Sequence, residues 1–469
     1  MTTYETPVQQ TPAQANGGSS QALVLDAARR AAAYVDGIRD RSVVPTPQAL
    51  ARLQELCEPL PEAPTSPETV LELLDEIGSP ATIATTGGRY FGFIIGGTVP
   101  AALAANILAA AWDQNVALRS MSPIGAALED VALDWLRDLL SLPSGCAGSL
   151  VSGATMANFT CIAAARTSLL KRLGWDVESQ GLFGAPSVTV VVSEEVHASV
   201  RKALAFVGFG RDRVVAVPTD GQGRMRVECF PKLDSPSLIC IQAGNVNTGS
   251  LDPAGDICAL AKSSGSWVHV DGALGLWAAC SPGLQHLLAP FANADSWAAD
   301  AHKWLNVPYE CGVAFVREAE TLYRAMNVEA SYLPAGVQRD PMRWTPEMSQ
   351  RARGVAVWAA LKSLGRSGVR DIIERTCRLA RLFASRLEDA GFEILTDVVL
   401  NQVLVSFGSD DLTRAVTEAL QKEGTCWCSG SVWHGRACMR ISVSSWATTE
   451  LDVSRSADTI VHIAKECRA

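Results

Sequence analysis

The sequence predicts an α/β protein with a mostly parallel central sheet that is flanked by helices. Between about residues 100 and 320, short β-branched runs alternate with stretches in which apolar residues recur at helical spacing. Uninterrupted apolar strands are typical of parallel sheets, because helices cover both faces of such a sheet. Five runs carry this prediction: SVTVVVS (187–193), RVVAVP (213–218), SLICIQAG (237–244), SWVHVD (266–271) and CGVAFV (311–316).

The segments on either side of this region follow other patterns. Helices are predicted near 22–40, 46–57 and 67–77, and they carry too little apolar surface to fold alone. Toward the C-terminus, two long helical patterns over 348–391 precede the short apolar runs FEILTD, VLVSF and CMRISV. Four parts are therefore expected: a disordered leader (1–20), an N-terminal helical segment (21–99), a large domain around the sheet (100–345) and a small α+β C-terminal domain with its linking helix (346–469).

Composition excludes several classes of protein. The chain has 469 residues with a formal net charge of −9, whereas proteins that bind nucleic acid usually carry a basic excess. No uncharged apolar run reaches the roughly 18 residues of a membrane span, and the N-terminus lacks the features of a secretory signal. The 13 cysteines lie mostly in apolar surroundings, as expected of buried thiols in a reducing compartment. These features predict a cytoplasmic protein that binds neither nucleic acid nor a membrane.

One cysteine pair, Cys426-x-Cys428, could contribute to a metal site. A zinc site needs about four ligands, and no second pair or nearby run of histidines completes the set. We therefore expect no metal.

Ligands of parallel α/β sheets bind outside the carboxyl ends of the strands, so the residues that follow each strand are the first candidates for a site. Lys303 lies in DSWAADAHKWL (295–305), where small residues precede it and a tryptophan follows. A partly buried lysine can lose its proton and attack an aldehyde as a neutral amine. The alternative is a lysine that ends an element and extends its ammonium group into water.

A second candidate is the segment HVDGA (269–273), at the end of an apolar strand. A carboxylate at Asp271 needs a cation if it is buried, and a protonated pyridine nitrogen is one such cation. The small side chain of Ala273 would leave room for a flat ring. Alternatively, Asp271 caps the following helix.

A third candidate is Ser152-Gly-Ala154-Thr155, which leads into a helical pattern. Small residues and a hydroxyl at a helix start can hold a phosphate through backbone N–H groups and the helix dipole. Ordinary helix capping explains the same residues, and the Gly-Lys-Ser/Thr ending of a Walker loop is absent.

Histidines supply the fourth candidate. His197, His269 and His302 are three of the six histidines in the chain, and they lie on or beside predicted strand ends. An imidazole there could stack on a planar cofactor, or it could be a hydrogen-bonded structural residue.

The combination resembles the fold-type I pyridoxal 5′-phosphate (PLP) enzymes, which share the aspartate aminotransferase-like fold. It is most similar to the group II amino-acid decarboxylases, which include aromatic-L-amino-acid, tyrosine, histidine and glutamate decarboxylases. The resemblance runs from about residue 22 to the C-terminus. Its motifs are RYFGF (89–93), WDQN (112–115), SPIGAALEDVALDWL (122–136), SGATMAN (152–158), HASVRKA (197–203), HVDGA (269–273), DSWAADAHKWL (295–305), QRARGVAVWAALKSLG (350–365) and MRISVSSWATT (439–449).

The resemblance implies a role for each candidate residue. Lys303 would form the Schiff base with PLP, and Asp271 would pair with the pyridine nitrogen. His197 would stack on the ring, on the face opposite Ala273, and would be catalytic together with Lys303. Phosphate contacts would come from Ala154, Thr155 and His302.

The implied activity is decarboxylation of an L-amino acid to its amine and CO₂ in a homodimer. Tyr90, Phe91, Phe93 and Trp112 would suit an aromatic substrate, although they could equally form a packed cluster. Arg440 could bind a carboxylate or form a structural ion pair. The alternatives are another PLP reaction (transamination, aldehyde-forming oxidative deamination or Cα–Cβ cleavage) and a non-catalytic protein of the same fold.

Three departures from the family pattern bear on this expectation. Asp300 stands where several relatives carry an asparagine that contacts the phosphate, and Asn245 stands in a loop where many relatives read Gly-Thr-Thr. Pro341 or Met342 takes the place of a loop tyrosine that donates a proton in animal aromatic decarboxylases. Tyr332, His197 or a residue of the partner subunit are the other candidate acids.

Overall fold

The computed structural model describes residues 20–329 and 338–468. The predicted leader, apart from Ser20, and the candidate acid Tyr332 lie outside these residues. None of the described helices is long and apolar enough to cross a membrane.

The central sheet has seven strands. They are β1 (Ala147–Val151), β2 (Val190–Ser193), β3 (Val215–Val217), β4 (Leu238–Gln242), β5 (Trp267–Asp271), β6 (Ser296–Asp300) and β7 (Gly312–Val316). Their order across the sheet is β1-β7-β6-β5-β4-β2-β3. The five strands from β3 to β6 in this order are parallel, and β7 is antiparallel to both of its neighbours. The predicted α/β class and mostly parallel sheet are thus confirmed.

Two of these strands were not predicted from the sequence. β1 reads AGSLV and β6 reads SWAAD, and residues such as Gly, Ala and Asp are depleted in strands. β6 pairs with a strand on each side and the edge strand β1 pairs with β7, and both segments are almost fully buried, which stabilises them as strands nevertheless. The orientation of β7 also follows from a local cause: residues 301–311 contain no helix, and a parallel return would need a crossover of a dozen or more residues.

Fifteen α-helices surround the two sheets in the described part of the chain. They are α1 (Ser20–Gly37), α2 (Pro47–Arg52), α3 (Pro67–Leu73), α4 (Ser79–Ala81), α5 (Pro100–Trp112), α6 (Pro123–Leu139), α7 (Ala154–Arg172), α8 (Val177–Gln180), α9 (Ala198–Phe206), α10 (Ala254–Ser264), α11 (Gln285–Leu288), α12 (Ala319–Met326), α13 (Arg353–Asp389), α14 (Asp410–Glu423) and α15 (Glu450–Glu466).

The N-terminal helices match the three that the sequence predicts, with shorter spans. Side-chain oxygens of Thr46 and Ser66 accept hydrogen bonds from backbone N–H groups of α2 and α3, which fixes where these helices begin. None of α1, α2 and α3 contains a buried residue. These three helices therefore contribute little to the core of their own chain.

The two long helical patterns over 348–391 correspond to α13. Gly365 has a positive φ of 60°, which interrupts the helix in the middle. Helix α13 packs against both α5 and α6 beside the large sheet and then against α15 near the second sheet, so it links the two halves of the molecule.

The second sheet is small and antiparallel. Its strands are β8 (Glu393–Ile394), β9 (Gln402–Ser406), β10 (Ser429–Trp433) and β11 (Arg436–Ser442). They lie in the order β10-β11-β9-β8, and α14 packs on β11. Three of them match the predicted runs, while β10 (SGSVW) has only a weak strand pattern.

Most cysteines of the protein lie in its core. Ten of the thirteen cysteines are buried, the exceptions being Cys57, Cys229 and Cys467, and all thirteen are free thiols. Four fully buried tryptophans also lie around the large sheet, and the indole N–H of Trp304 donates to Thr376 Oγ1 at 2.9 Å. This bond joins the segment that follows β6 to α13.

Candidate active site

A pocket lies at the carboxyl ends of the parallel strands. Its lining residues are Ile94, His197, Gln242, Gly244, Val246, Asp271, Ala273, Leu274 and Lys303. Four of the predicted site residues, His197, Asp271, Ala273 and Lys303, are thus brought together from three different strand ends. The sequence alone could not place them in one cavity, since they are up to about a hundred positions apart.

Lys303 lies three residues beyond the end of β6. Its side chain is only 19% exposed, and its Nζ atom is 3.0 Å from Asp300 Oδ2. The main chain around it is held closely, because a Cβ atom at Gly96 would lie 1.7 Å from the Lys303 carbonyl oxygen. Lys303 therefore does not extend into water, as the alternative interpretation required.

Asp271 ends β5 and is buried. Its Oδ1 accepts a hydrogen bond from the Ala273 N–H at 3.2 Å, and its Oδ2 accepts one from Asn158 Nδ2 at 3.4 Å. The first bond is the local turn contact that the capping alternative foresees. Among the described residues, no cation pairs with Asp271, so a buried carboxylate faces the pocket with unused capacity for a positively charged ligand.

His197 lies directly before α9. Its Nδ1 is 2.7 Å from Ser199 Oγ, and the backbone N–H of Ser199 also donates to Nδ1 at 3.2 Å. Burial lowers the pKa of His197 below its ordinary value, although the nearby carboxylate of Asp271 opposes this shift. The imidazole is therefore held in its neutral form with Nδ1 engaged.

Asn158 connects these residues beneath the pocket. Its Nδ2 donates to Ser199 Oγ at 3.1 Å and to Asp271 Oδ2, and its Oδ1 lies 2.9 Å from His269 Nε2. Sequence reasoning missed both Asn158 and Ser199. Asn158 lies one helical turn after Ala154 on α7, a spacing that places both residues on the same helix face and could have identified it.

The predicted phosphate cradle is the first turn of α7. Ala154 is buried and Thr155 is half-buried, and both lie at the helix start, where free N–H groups and the helix dipole favour an anion. His302 contacts this turn, because a Cβ atom at Gly153 would lie 3.3 Å from His302 Cε1. The ring also bonds the backbone of Cys311 through Nδ1.

Other residues singled out in the sequence have structural contacts. Asn245 Oδ1 accepts from the backbone N–H groups of Asn247 and Thr248, so the side chain stabilises its own turn. Phe91 is fully buried against Phe383, which agrees with the packed-cluster alternative for that residue.

Pro341 and Met342 stand where the resemblance to animal aromatic decarboxylases would place a loop tyrosine. Pro341 and Met342 are buried, and the Met342 N–H donates to the Ala117 carbonyl at 3.1 Å. Asp340 Oδ1 accepts from the Arg119 N–H at 2.9 Å. Neither Pro341 nor Met342 lines the pocket.

Comparison with known proteins bears on what this pocket is. The model of the pyridoxal-dependent decarboxylase conserved domain matches residues 53–408, about three quarters of the chain. The chain belongs to this family.

The individual proteins to which this member of the decarboxylase family is similar are distant from it in sequence. Tyrosine decarboxylase 2 of Arabidopsis thaliana is 27% identical over 427 residues, covering 84% of this chain and 77% of that protein. Phenylacetaldehyde synthase of a Rosa hybrid cultivar is 25% identical over 434 residues and covers 84% of each chain. The crystal structure of Oryza sativa TDC with PLP and tryptamine superimposes with a TM-score of 0.89 at 21% identity, covering 97% of this chain and 99% of that one. This likeness confirms the fold-type I architecture.

The family cofactor is PLP, and the pocket fits it. A partly buried amine and a buried carboxylate without a cationic partner line one cavity. Ala154, Thr155 and His302 are not among the lining residues, and the start of α7 is joined to Lys303 through Asp300. The Nε2 atom of Gln242, which lines the cavity, is buried and has no hydrogen-bond partner. Within the described ranges, no group of three or more His, Cys, Asp or Glu residues could hold a metal ion.

Proposed function

We propose that this protein removes the α-carboxyl group of an L-amino acid as CO₂ and releases the amine, with Lys303 as the residue that carries PLP covalently. The observation that supports this most directly is that Lys303, Asp271 and His197 line one pocket at the carboxyl ends of three strands of the same sheet. The amine, the acid and the imidazole reach it from three separate elements, as a planar cofactor with three recognition points requires.

Each of these residues has a distinct task in the proposed reaction. Bound PLP supplies an electron sink for the charge left on the substrate when CO₂ departs. Asp271 keeps the pyridine nitrogen protonated, because an ionised carboxylate stabilises a nearby cation. His197 and Ala273, which both line the pocket, would hold the ring. The Nδ1 atom of His197 accepts from Ser199, so the neutral imidazole carries its proton on Nε2 and can donate it.

Arg440 is the best candidate to bind a substrate carboxylate. The residue is buried on β11, and its guanidinium donates to the Val246 carbonyl, a residue of the pocket lining, at 3.2 Å. Its Nε atom has no partner, and no carboxylate pairs with it among the described residues. The structural ion pair that was its alternative role is thus missing, and a buried cation of this kind favours an anionic ligand.

An aromatic substrate is the favoured class. Tyr90 stacks on Trp427 with ring centroids 5.1 Å apart, and Phe93 contacts the same indole at 5.4 Å. Phe93 remains 59% exposed and directly precedes Ile94, which lines the pocket. The tyrosine decarboxylase among the relatives supports the same class.

A second candidate is the oxidative reaction that forms an aldehyde. It converts the amino acid, O₂ and water into an aldehyde, CO₂, ammonia and H₂O₂. Two observations favour it: the expected loop phenol is replaced by the buried residues Pro341 and Met342, and one relative is a phenylacetaldehyde synthase.

A homodimer follows from the same family resemblance. The helices α1 and α3 contact each other but bury no residue in their own chain, and Val24 and Leu25 of α1 are exposed. We propose that a second subunit covers this segment. Sedimentation at micromolar concentration should give twice 49.8 kDa, and a single species of 49.8 kDa would contradict the dimer. A cytoplasmic location remains a prediction from the thirteen free thiols.

The experiment that tests the function is incubation of the PLP-loaded protein with a panel of L-amino acids. Mass spectrometry should detect CO₂ and the amine in equal amounts, with tyrosine, tryptophan or phenylalanine preferred. Aldehyde and H₂O₂ together with O₂ consumption would instead identify the second candidate. Amino-group transfer without CO₂ would contradict both.

A further inference from the structure

Asp300 has two contacts that place its carboxylate at the start of α7, where the phosphate of the cofactor is expected to bind. Its Oδ1 accepts a hydrogen bond from the Ala154 N–H at 2.6 Å, and its Oδ2 lies 3.0 Å from Lys303 Nζ. The residue is 2% exposed. One buried carboxylate therefore engages both the amine that would carry the cofactor and the first N–H group of α7.

The charge that balances Asp300 comes chiefly from Lys303. His302 Nε2 is 3.6 Å from Oδ1, but burial lowers the pKa of His302 and keeps it largely neutral. The side chains of His197, Tyr309 and Cys311 also lie close enough to interact with this charge. In their neutral forms they add no positive charge that could balance it. No arginine pairs with Asp300 in the part of the chain that the structure describes.

A phosphate group at the start of α7 would meet this carboxylate directly. Both anions would compete for the Ala154 N–H, and their repulsion is strong because the site is shielded from water. An asparagine at this position would keep an oxygen for the Ala154 N–H without the charge.

We propose that Asp300 is a specificity-determining residue that limits how strongly the site holds a doubly charged phosphate ester. The proposal rests on the cofactor role assigned above to Lys303 and α7. One consequence is that the phosphate group contributes less to the affinity for PLP in the wild-type site than in the variant Asp300→Asn, whose side-chain amide is neutral. A second consequence is that the wild-type site accepts a singly charged ester of the same shape equally well.

The test separates the phosphate arm from the ring. The cofactor-free wild-type protein and Asp300→Asn are titrated at pH 8 with PLP and with pyridoxal, which lacks the phosphate, and binding is followed by tryptophan fluorescence. The variant should bind PLP at least about tenfold more tightly, while its affinity for pyridoxal changes less than about threefold. Asp256→Asn, which removes one exposed carboxylate, controls for net charge and should match wild type.

The outcomes are distinct. Unchanged or weaker binding of PLP by Asp300→Asn would overturn the proposal, and equal changes for both ligands would make Asp300 a positioning residue instead. If neither ligand binds the wild-type protein, the proposed assignment of this pocket as the cofactor site is contradicted. Pyridoxal 5′-sulfate, a singly charged ester, provides a test that needs no variant: it should bind wild type at least as tightly as PLP, and binding about tenfold weaker would refute the proposal.

Discussion

His269 Nε2 lies 2.9 Å from Asn158 Oδ1, and this contact fixes the direction of a hydrogen-bond chain beneath the pocket. An ionised Asp271 only accepts hydrogen bonds, so the amide of Asn158 must turn its NH₂ group toward it. The carbonyl then faces His269, which must carry its proton on Nε2. Its Nδ1 accepts from Ser296 Oγ at 2.9 Å, and that hydroxyl in turn accepts from the indole of Trp267 at 2.9 Å.

The hydrogen-bond chain continues from Asn158 through Ser199 to His197. The second Asn158 N–H donates to Ser199 Oγ, which leaves the Ser199 hydroxyl proton for His197 Nδ1. The orientation of one buried asparagine thus sets the proton position on His269 and agrees with the tautomer of His197 that the Ser199 backbone N–H requires.

Replacing Asn158 by leucine should destabilise the fold. The change leaves Asp271 and His269 each without one buried hydrogen bond, and each such loss costs about 1–3 kcal/mol. We expect the free energy of unfolding, measured with urea, to fall by roughly 2–6 kcal/mol. Thr160→Val is the matched control on the same helix, because the Thr160 hydroxyl bonds only its own helix at Met156. Equal losses of unfolding free energy in the two variants would argue against a special role for the hydrogen bonds of Asn158.

The stability of the protein should depend on pH through His269. Burial lowers the pKa of this imidazole from 6.5 to about 4, against a smaller opposing effect of Asp271. The unfolded chain therefore binds a proton near pH 6.5, whereas the folded protein does so only near pH 4, and stability falls as pH drops through this window. The contribution is on the order of 3 kcal/mol. Urea unfolding between pH 7 and pH 4 should show a steeper loss for wild type than for His269→Gln, and parallel curves would exclude His269 as the cause.

Lys303→Ala should abolish product formation and remove the visible absorbance band of the lysine-bound cofactor. The reason is that the only amine in the pocket lining is lost. Lys262→Ala, at an exposed position on α10, should retain both the band and the activity. A band of unchanged intensity in Lys303→Ala would contradict the assignment of Lys303.

Arg440→Gln should raise KM for the amino acid by about 10- to 100-fold with a smaller change in kcat, because a charged hydrogen bond to the substrate contributes roughly 1.5–3 kcal/mol. Arg436→Gln is the control from the same strand: Arg436 is exposed and pairs with Glu393, so steady-state kinetics should remain near wild type. If Arg440→Gln instead lowers the free energy of unfolding and leaves KM unchanged, Arg440 has a structural role.

The sequence was sufficient for much of the fold because its strongest patterns are local. Runs such as 237–244 and 266–271 are rich in buried apolar residues, and they became β4 and β5 within two residues. β1 and β6 were missed, because their small residues acquire strand structure only from neighbouring strands. The burial of Pro341 and Met342 beside Ala117 depends on contacts between distant parts of the chain, so no local pattern predicted it.

The α/β class, the strand ends at which chemistry could occur and the family could all be read from the residues alone, since spacing and residue type survive without coordinates. Folding was needed to reveal that Asp300 contacts both Ala154 and Lys303, and that Asn158 joins Asp271 to His269. These contacts join residues up to about 150 positions apart in the chain. Their geometry depends on how α7 packs against β5 and β6, which no local pattern encodes.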